Sequence, residues 1–85
     1  ELVILITEKN IIMEKRIVEI LKEVLDMPDV DHNLTQKECE AWDSMAQLNI
    51  AAELEATFEV SLEPEDITKL TSVQNIIEVL NMKNR

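Results

Sequence analysis

Three sets of side chains in this sequence have types and spacings that could do chemistry. The first is a cation loop. Asp29, Asp31, Asn33, Thr35, Lys37 and Glu40 fall at positions 1, 3, 5, 7, 9 and 12 of the EF-hand template. Oxygen ligands at that spacing would wrap a calcium ion. The sharp turn inside the template calls for glycine, and Leu34 stands there instead. Lys37 also brings an ammonium to a ligand position, and no second loop pairs with the first. The plainer expectation is an acidic loop pinned by Leu34. The second set is a nucleophile. Ser44 with His32 and Asp31 or Asp43 has the residue types of a hydrolytic triad. No spacing supports it, and so short a chain leaves little room for a pocket of roughly 300 Å³ or more. The third is Ser44 alone, as an attachment point within Trp42-Asp43-Ser44-Met45.

The elements that must hold these residues read as helices. Met13, Ile17, Ile20, Leu21, Val24 and Leu25 recur at the spacing of one helix face. Pro28 stops that helix, which gives a first helix over 13–26. Residues 29–42 form a long connection with Val30, Leu34 and Trp42 as anchors. A second helix opens at Ser44. Asp43 or Ser44 is its cap, and Gln47 stands at the capping-box distance from Ser44. Ile50, Leu54 and Phe58 form a core stripe, and Met45, Leu48 and Ala52 form a second apolar stripe. Pro64 suits the first turn of a short third helix, 64–69. Thr71 and Gln74 have capping-box spacing ahead of Val73, Ile76, Ile77 and Leu80, which mark a fourth helix ending near Met82. The expected fold is all-α: a four-helix bundle of three main helices and a short third one, with a long loop between the first two.

Residues 1–12 stand apart. Leu2 to Ile6 is an apolar, β-prone run. It could be an edge strand, an extension of the next helix, or a cloning remnant, with Met13 as the natural start. It lacks the basic start and cleavage site of a signal peptide.

Composition removes several function classes. The chain of 85 residues has no glycine, so it has no Gly-rich phosphate loop, dinucleotide fingerprint or nucleophile elbow. One cysteine, Cys39, cannot form an internal disulfide, and with the single His32 it is too little for zinc. Cys39 is expected to be a partly buried small apolar residue. No apolar run reaches the roughly 18 residues of a membrane span. The net charge is −10, which argues against nucleic acid and favours a basic partner surface. The acidity is concentrated: residues 26–66 hold twelve acidic residues and one basic, Lys37. A solvated face kept soluble by repulsion is the plain alternative.

Trp42-Asp43-Ser44-Met45 at a helix start, the long preceding loop, Phe58 closing the second helix, the Pro64 turn and Leu70-Thr71-Ser72-Val73 occur together in one small acidic chain. From about Met13 to Leu80 it resembles the acyl carrier protein family, including the related peptidyl and D-alanyl carrier domains. The resemblance implies a carrier domain over 13–85, and residues 1–12 have no counterpart. It implies that Ser44 is esterified with phosphopantetheine, donated from coenzyme A by a phosphopantetheinyl transferase. The arm's thiol would then carry an acyl or aminoacyl group as a thioester between loading, condensing or transfer enzymes with basic docking patches. The chain would be a cytoplasmic monomer and not itself an enzyme. Asp43 would help present the serine. Met45, Leu48 and Ala52 would be the strip that partners read, with Glu53, Glu55 and Glu59 adding acidic contacts. A phosphodiester on Ser44 would suit the free N–H groups and dipole of a helix N-terminus.

Some residues depart from the family pattern. Met45 replaces the usual leucine, a swap that keeps volume and polarity. Ala41-Trp42 stands where a glycine often precedes the Asp-Ser pair. Trp-Asp-Ser is common in stand-alone and peptidyl-type carriers. Asn49 and Ala56 fall where fatty-acid carriers are often acidic, which argues away from a housekeeping fatty-acid role. The pathway stays open among fatty acid, polyketide, nonribosomal peptide and cell-wall aminoacylation. The competing reading is an unmodified acidic interaction module. In it Ser44 is only a helix N-cap and the Met45–Leu48 strip binds a partner helix.

Overall fold

The structure is a computed structural model that describes the backbone of residues 2–83 and the side chains of residues 10–83. Among the described residues four helices follow in order: α1 (Leu2–Leu25), α2 (Ser44–Phe58), α3 (Pro64–Ile67) and α4 (Val73–Lys83), with a 3-10 turn at Gln36–Glu38 between α1 and α2. α1 packs against both α2 and α4. The layout is the expected all-α bundle with a short third helix.

α1 is longer than its periodic half requires. Its 24 residues span about 36 Å, and they run through Met13 without a break. Between the edge strand and the helical extension expected for residues 1–12, the backbone takes the helical extension. The physical reason is that extending a formed helix is far easier than nucleating one, and no proline or glycine interrupts the segment. The side chains of Leu2 to Ile6 lie outside the described residues.

The α1 exit is closed by backbone geometry. Asp26 takes a left-handed φ of 54°. The Asp26 N–H donates to Glu23 O (3.3 Å) and the Met27 N–H to Lys22 O (3.0 Å), which is the Schellman pattern. The helix therefore ends at Leu25, three residues before Pro28.

The core is almost wholly aliphatic. Ile17 and Leu21 of α1, Ile50 and Leu54 of α2, Leu70, and Val73, Ile76 and Leu80 of α4 are fully buried. Trp42 joins them at 2% exposure. Ala46 and Ala51 are also buried, and neither stood in an expected stripe. Val24 and Phe58 are only half-buried.

The long connection is ordered by local bonds. The Asp31 carboxylate accepts from the Asn33 N–H at 2.8 Å, and the Thr35 hydroxyl donates to Glu38 Oε1 at 2.9 Å. Val30 and Leu34 are half-buried, while Cys39 and Trp42 are buried. Thr35 pairs with Ser72 in an isolated antiparallel bridge, and the Gln36 N–H donates to Thr71 O at 2.8 Å. The loop is thereby fixed to the entrance of α4.

Two caps differ from expectation. α4 is capped by Ser72, whose Oγ accepts from the Asn75 N–H at 3.1 Å; the Thr71 hydroxyl accepts instead from Asn75 Nδ2 at 2.8 Å. Thr71 is thus one residue too early, and the Thr71–Gln74 box does not form. α3 ends at Ile67 and not at 69, because the chain tightens into turns, with the Lys69 N–H on Asp66 O (3.0 Å) and the Leu70 N–H on Ile67 O (3.1 Å). That tightening lets Leu70 reach the core.

Candidate functional site: the first turn of α2

Ser44 is the first residue of α2, and its placement follows from its neighbours. Trp42, two residues before it, is buried and fixes where the chain enters. Asp43 is the cap: its backbone is extended and its carboxylate accepts from the Ala46 N–H at 2.8 Å. The Gln47 N–H donates to Asp43 O at 2.9 Å. Ala46 packs into the core. Ser44 and Met45, between these anchors, are turned to solvent. Among the described residues nothing bonds the Ser44 hydroxyl, and the Ser44 and Met45 N–H groups are free.

This geometry corrects one expectation. Ser44 and Gln47 do not form a capping box. Asp43 already fills the cap position, so Ser44 is not the cap. The Gln47 side chain turns inward: Nε2 donates to Ile67 O at 2.8 Å and to Leu70 O at 3.3 Å. Its Oε1 accepts from Gln36 Nε2 at 3.3 Å. A local spacing rule cannot reveal such long-range partners.

Met45 (69% exposed) and Leu48 (56%) form an uncovered apolar strip with exposed Ala52. Glu53 and Glu59 are exposed beside it. Glu55 is different. It is half-buried, and its Oε2 accepts from the Leu62 N–H at 2.9 Å. It braces the α2–α3 connection, which its position on the helix did not reveal.

The other candidate chemistries are not assembled. His32 Nδ1 lies 3.6 Å from the Asp31 carboxylate. His32 lines a groove with Ile11, Val18, Lys22 and Val30 on α1 and the loop, not the first turn of α2. Among the described residues no three His, Cys, Asp or Glu side chains converge to hold a metal. Cys39 is buried, with Sγ 3.9 Å from Met27 Sδ. Lys83 Nζ lies 2.8 Å from Asp66 Oδ2, an ion pair that joins α4 to α3. The Lys83 hydrogen bond holds the Asp66 carboxyl below its ordinary range, and Asp66 in turn raises the Lys83 ammonium.

Among the described residues the chain is thus a short four-helix bundle with an exposed serine at a capped helix start. A family model described as "Phosphopantetheine attachment site" matches residues 15–80, and the chain belongs to that family. The crystal structure of an acyl carrier protein from Thermotoga maritima superposes with a TM-score of 0.66 at 28% identity, covering 82% of this chain and 84% of that one. Among curated proteins nothing matches. The protein is a carrier and not a catalyst, and its cofactor is covalent phosphopantetheine. The exposed hydroxyl beside free helix N–H groups fits a phosphodiester at this turn. Among the described residues, no helix is long and apolar enough to cross a membrane.

Proposed function

We propose that Ser44 carries the phosphopantetheine arm and that the arm's thiol shuttles acyl or aminoacyl groups as thioesters. The Ser44 oxygen would displace adenosine 3′,5′-bisphosphate from coenzyme A, its proton passing to the transferase. Asp43 holds the turn that presents the oxygen. Met45, Leu48 and Ala52 form the surface that the transferase and the loading, condensing or transfer enzymes read, with Glu53 and Glu59 steering basic patches onto it. Glu55 contributes less, because its carboxylate is already engaged at Leu62. The protein works as a monomer in the cytoplasm. Tethering raises the local concentration of the intermediate at each partner.

The observation that carries this reading is the division of labour between Asp43 and Ser44. Asp43 satisfies the helix end, so capping does not account for Ser44. That weakens the unmodified interaction-module reading, which needs Ser44 as the cap. The test is intact mass after incubation with coenzyme A and a broad-specificity phosphopantetheinyl transferase. One added phosphopantetheine is expected, absent in Ser44→Ala. A folded wild-type chain that starts without the arm and gains none would return the lead to the interaction module. Docking of the transferase should also weaken as salt rises; salt-insensitive affinity would sink the steering account.

A further inference from the structure

We propose that Gln47 is a positioning residue that sets the angle at which α2 presents Ser44, through bonds to the loop and to the α3–α4 junction. The inference rests on Ser44 being the modified residue. The first turn of α2 has two kinds of restraint. Trp42 and Ala46 are held by burial, which fixes depth but is non-directional. The Asp43 cap is directional, but it lies within the same turn. Gln47 supplies the directional ties from this turn to other segments. Its amide is half-buried, and both ends are used. Nε2 donates to Ile67 O at 2.8 Å and to Leu70 O at 3.3 Å, on either side of the turn after α3. Oε1 accepts from Gln36 Nε2 at 3.3 Å, and the Gln36 N–H donates to Thr71 O at 2.8 Å. These bonds close a ring from α2 to the loop, to the entrance of α4 and back. Gln47 lies three residues from Ser44, just under one turn of helix, so a rotation at Gln47 is passed to Ser44.

Such a rotation matters because the attacking oxygen must approach the phosphorus in line with the leaving group. A misplacement of about 1 Å can cost as much as ~100-fold in rate. Docking through the exposed Met45–Leu48 strip should be far less sensitive. The signature of a positioning residue is therefore a loss in kcat with KM kept.

The experiment compares phosphopantetheinylation kinetics and ¹H–¹⁵N spectra of the unmodified wild type, Gln47→Met, Gln36→Leu and Ile20→Val. The last trims a buried side chain of α1 that makes none of the bonds of this ring and controls for stability. Gln47→Met should lower kcat about 10-fold with KM within about twofold. It should also shift the Ser44 and Met45 amide resonances while leaving those of residues 76–82 in place. Gln36→Leu removes one arm of the ring and should give a smaller loss of the same kind. Where Gln47→Met does not fold, Gln47→Glu takes its place; it keeps the acceptor for Gln36 and loses both donors. Unchanged kcat and unshifted Ser44 resonances in the folded variant would overturn the proposal. So would an equal kcat loss in Ile20→Val. A wild-type chain that the transferase does not modify overturns the attachment reading instead, and the amide shifts then still decide whether Gln47 positions the turn.

Discussion

The two ends of α2 are built to different standards. At the start, every restraint agrees. Trp42 is buried, Asp43 is a good cap with a 2.8 Å bond, Ala46 is packed, and Gln47 is tied to two other segments. At the far end, Glu59 sits in the left-handed region, with φ 53° and ψ 48°, where a β-carbon is unfavourable. Phe58 is only half-buried, and the next helix has four residues. The end that, under the proposed function, would offer one oxygen in a fixed direction is over-determined. The other end tolerates a residue ill-suited to its backbone, with Glu55 holding the following strand of chain at Leu62.

The largest effect should come from breaking the entrance. Trp42→Ala removes a fully packed side chain from an otherwise aliphatic core and should cost about 3–5 kcal/mol of unfolding free energy. Chemical denaturation checks it. A cost below about 1 kcal/mol would mean that the entrance is not held by burial. Among the described residues the indole Nε1 has no partner, so Trp42→Phe should cost much less than Trp42→Ala.

Next comes the cap. Asp43→Ala should cost about 1 kcal/mol, whereas Ser44→Ala should be nearly silent in stability. That pair of numbers separates the two residues more cleanly than any activity measurement. Equal losses at Asp43 and Ser44 would mean that they share the capping role.

The other end should respond in the opposite direction. Glu59→Gly relieves the left-handed strain, at roughly 1–2 kcal/mol, and adds unfolded-state freedom worth roughly 0.5–1 kcal/mol, so a net gain of about 0.5 kcal/mol is expected. A measured loss would show that the Glu59 side chain makes a contact worth more than the strain.

These contrasts mark what local sequence could reveal. The helix start at Asp43-Ser44 was legible because a cap and a periodic apolar run are both local signals. So were the Ile50–Leu54 stripe, the exposed Met45–Leu48 strip and the Pro64 start of α3. Which of Asp43 and Ser44 caps was not legible, since both residue types suit the position and three-dimensional closure decides. Gln47 reads locally as a capping partner because its true acceptors, Ile67 O and Leu70 O, lie 20 and 23 residues away along the chain. Ala46 and Ala51 escaped because alanine carries little hydrophobic signal and is buried by close helix approach. Glu55 escaped because a carboxylate on an exposed-looking helix position gives no hint of a backbone N–H beside it. The first helix ran past its expected start because a helix, once packed, propagates through residues whose own pattern is ambiguous.

The smallest expected effect lies where the α2 exit is steadied from a distance, at Lys83 and Asp66. The Asp66 carboxyl is held below its ordinary 3.8, first by the Lys83 hydrogen bond and then by the Glu63 N–H. A carboxyl lowered on folding adds stability above its unfolded value and loses it as pH falls through the folded value. Lys83 is raised above 10.5 by Asp66, so its contribution is complete below that pH and fades as pH climbs through the folded value. The pair should therefore count only between these limits, and modestly, because both groups are in contact with water and screened by salt. Lys83→Met should lower Tm slightly at neutral pH, and the gap to wild type should close as the solution is acidified through the carboxylate range. Asp66→Asn should do more, because the same carboxylate also accepts from the Glu63 N–H at 2.9 Å and so opens the α3 start as well. If the Lys83→Met gap stays constant down to acid pH in the folded protein, the ion pair is not what steadies α3, and the contrast between the two ends of α2 rests on packing alone.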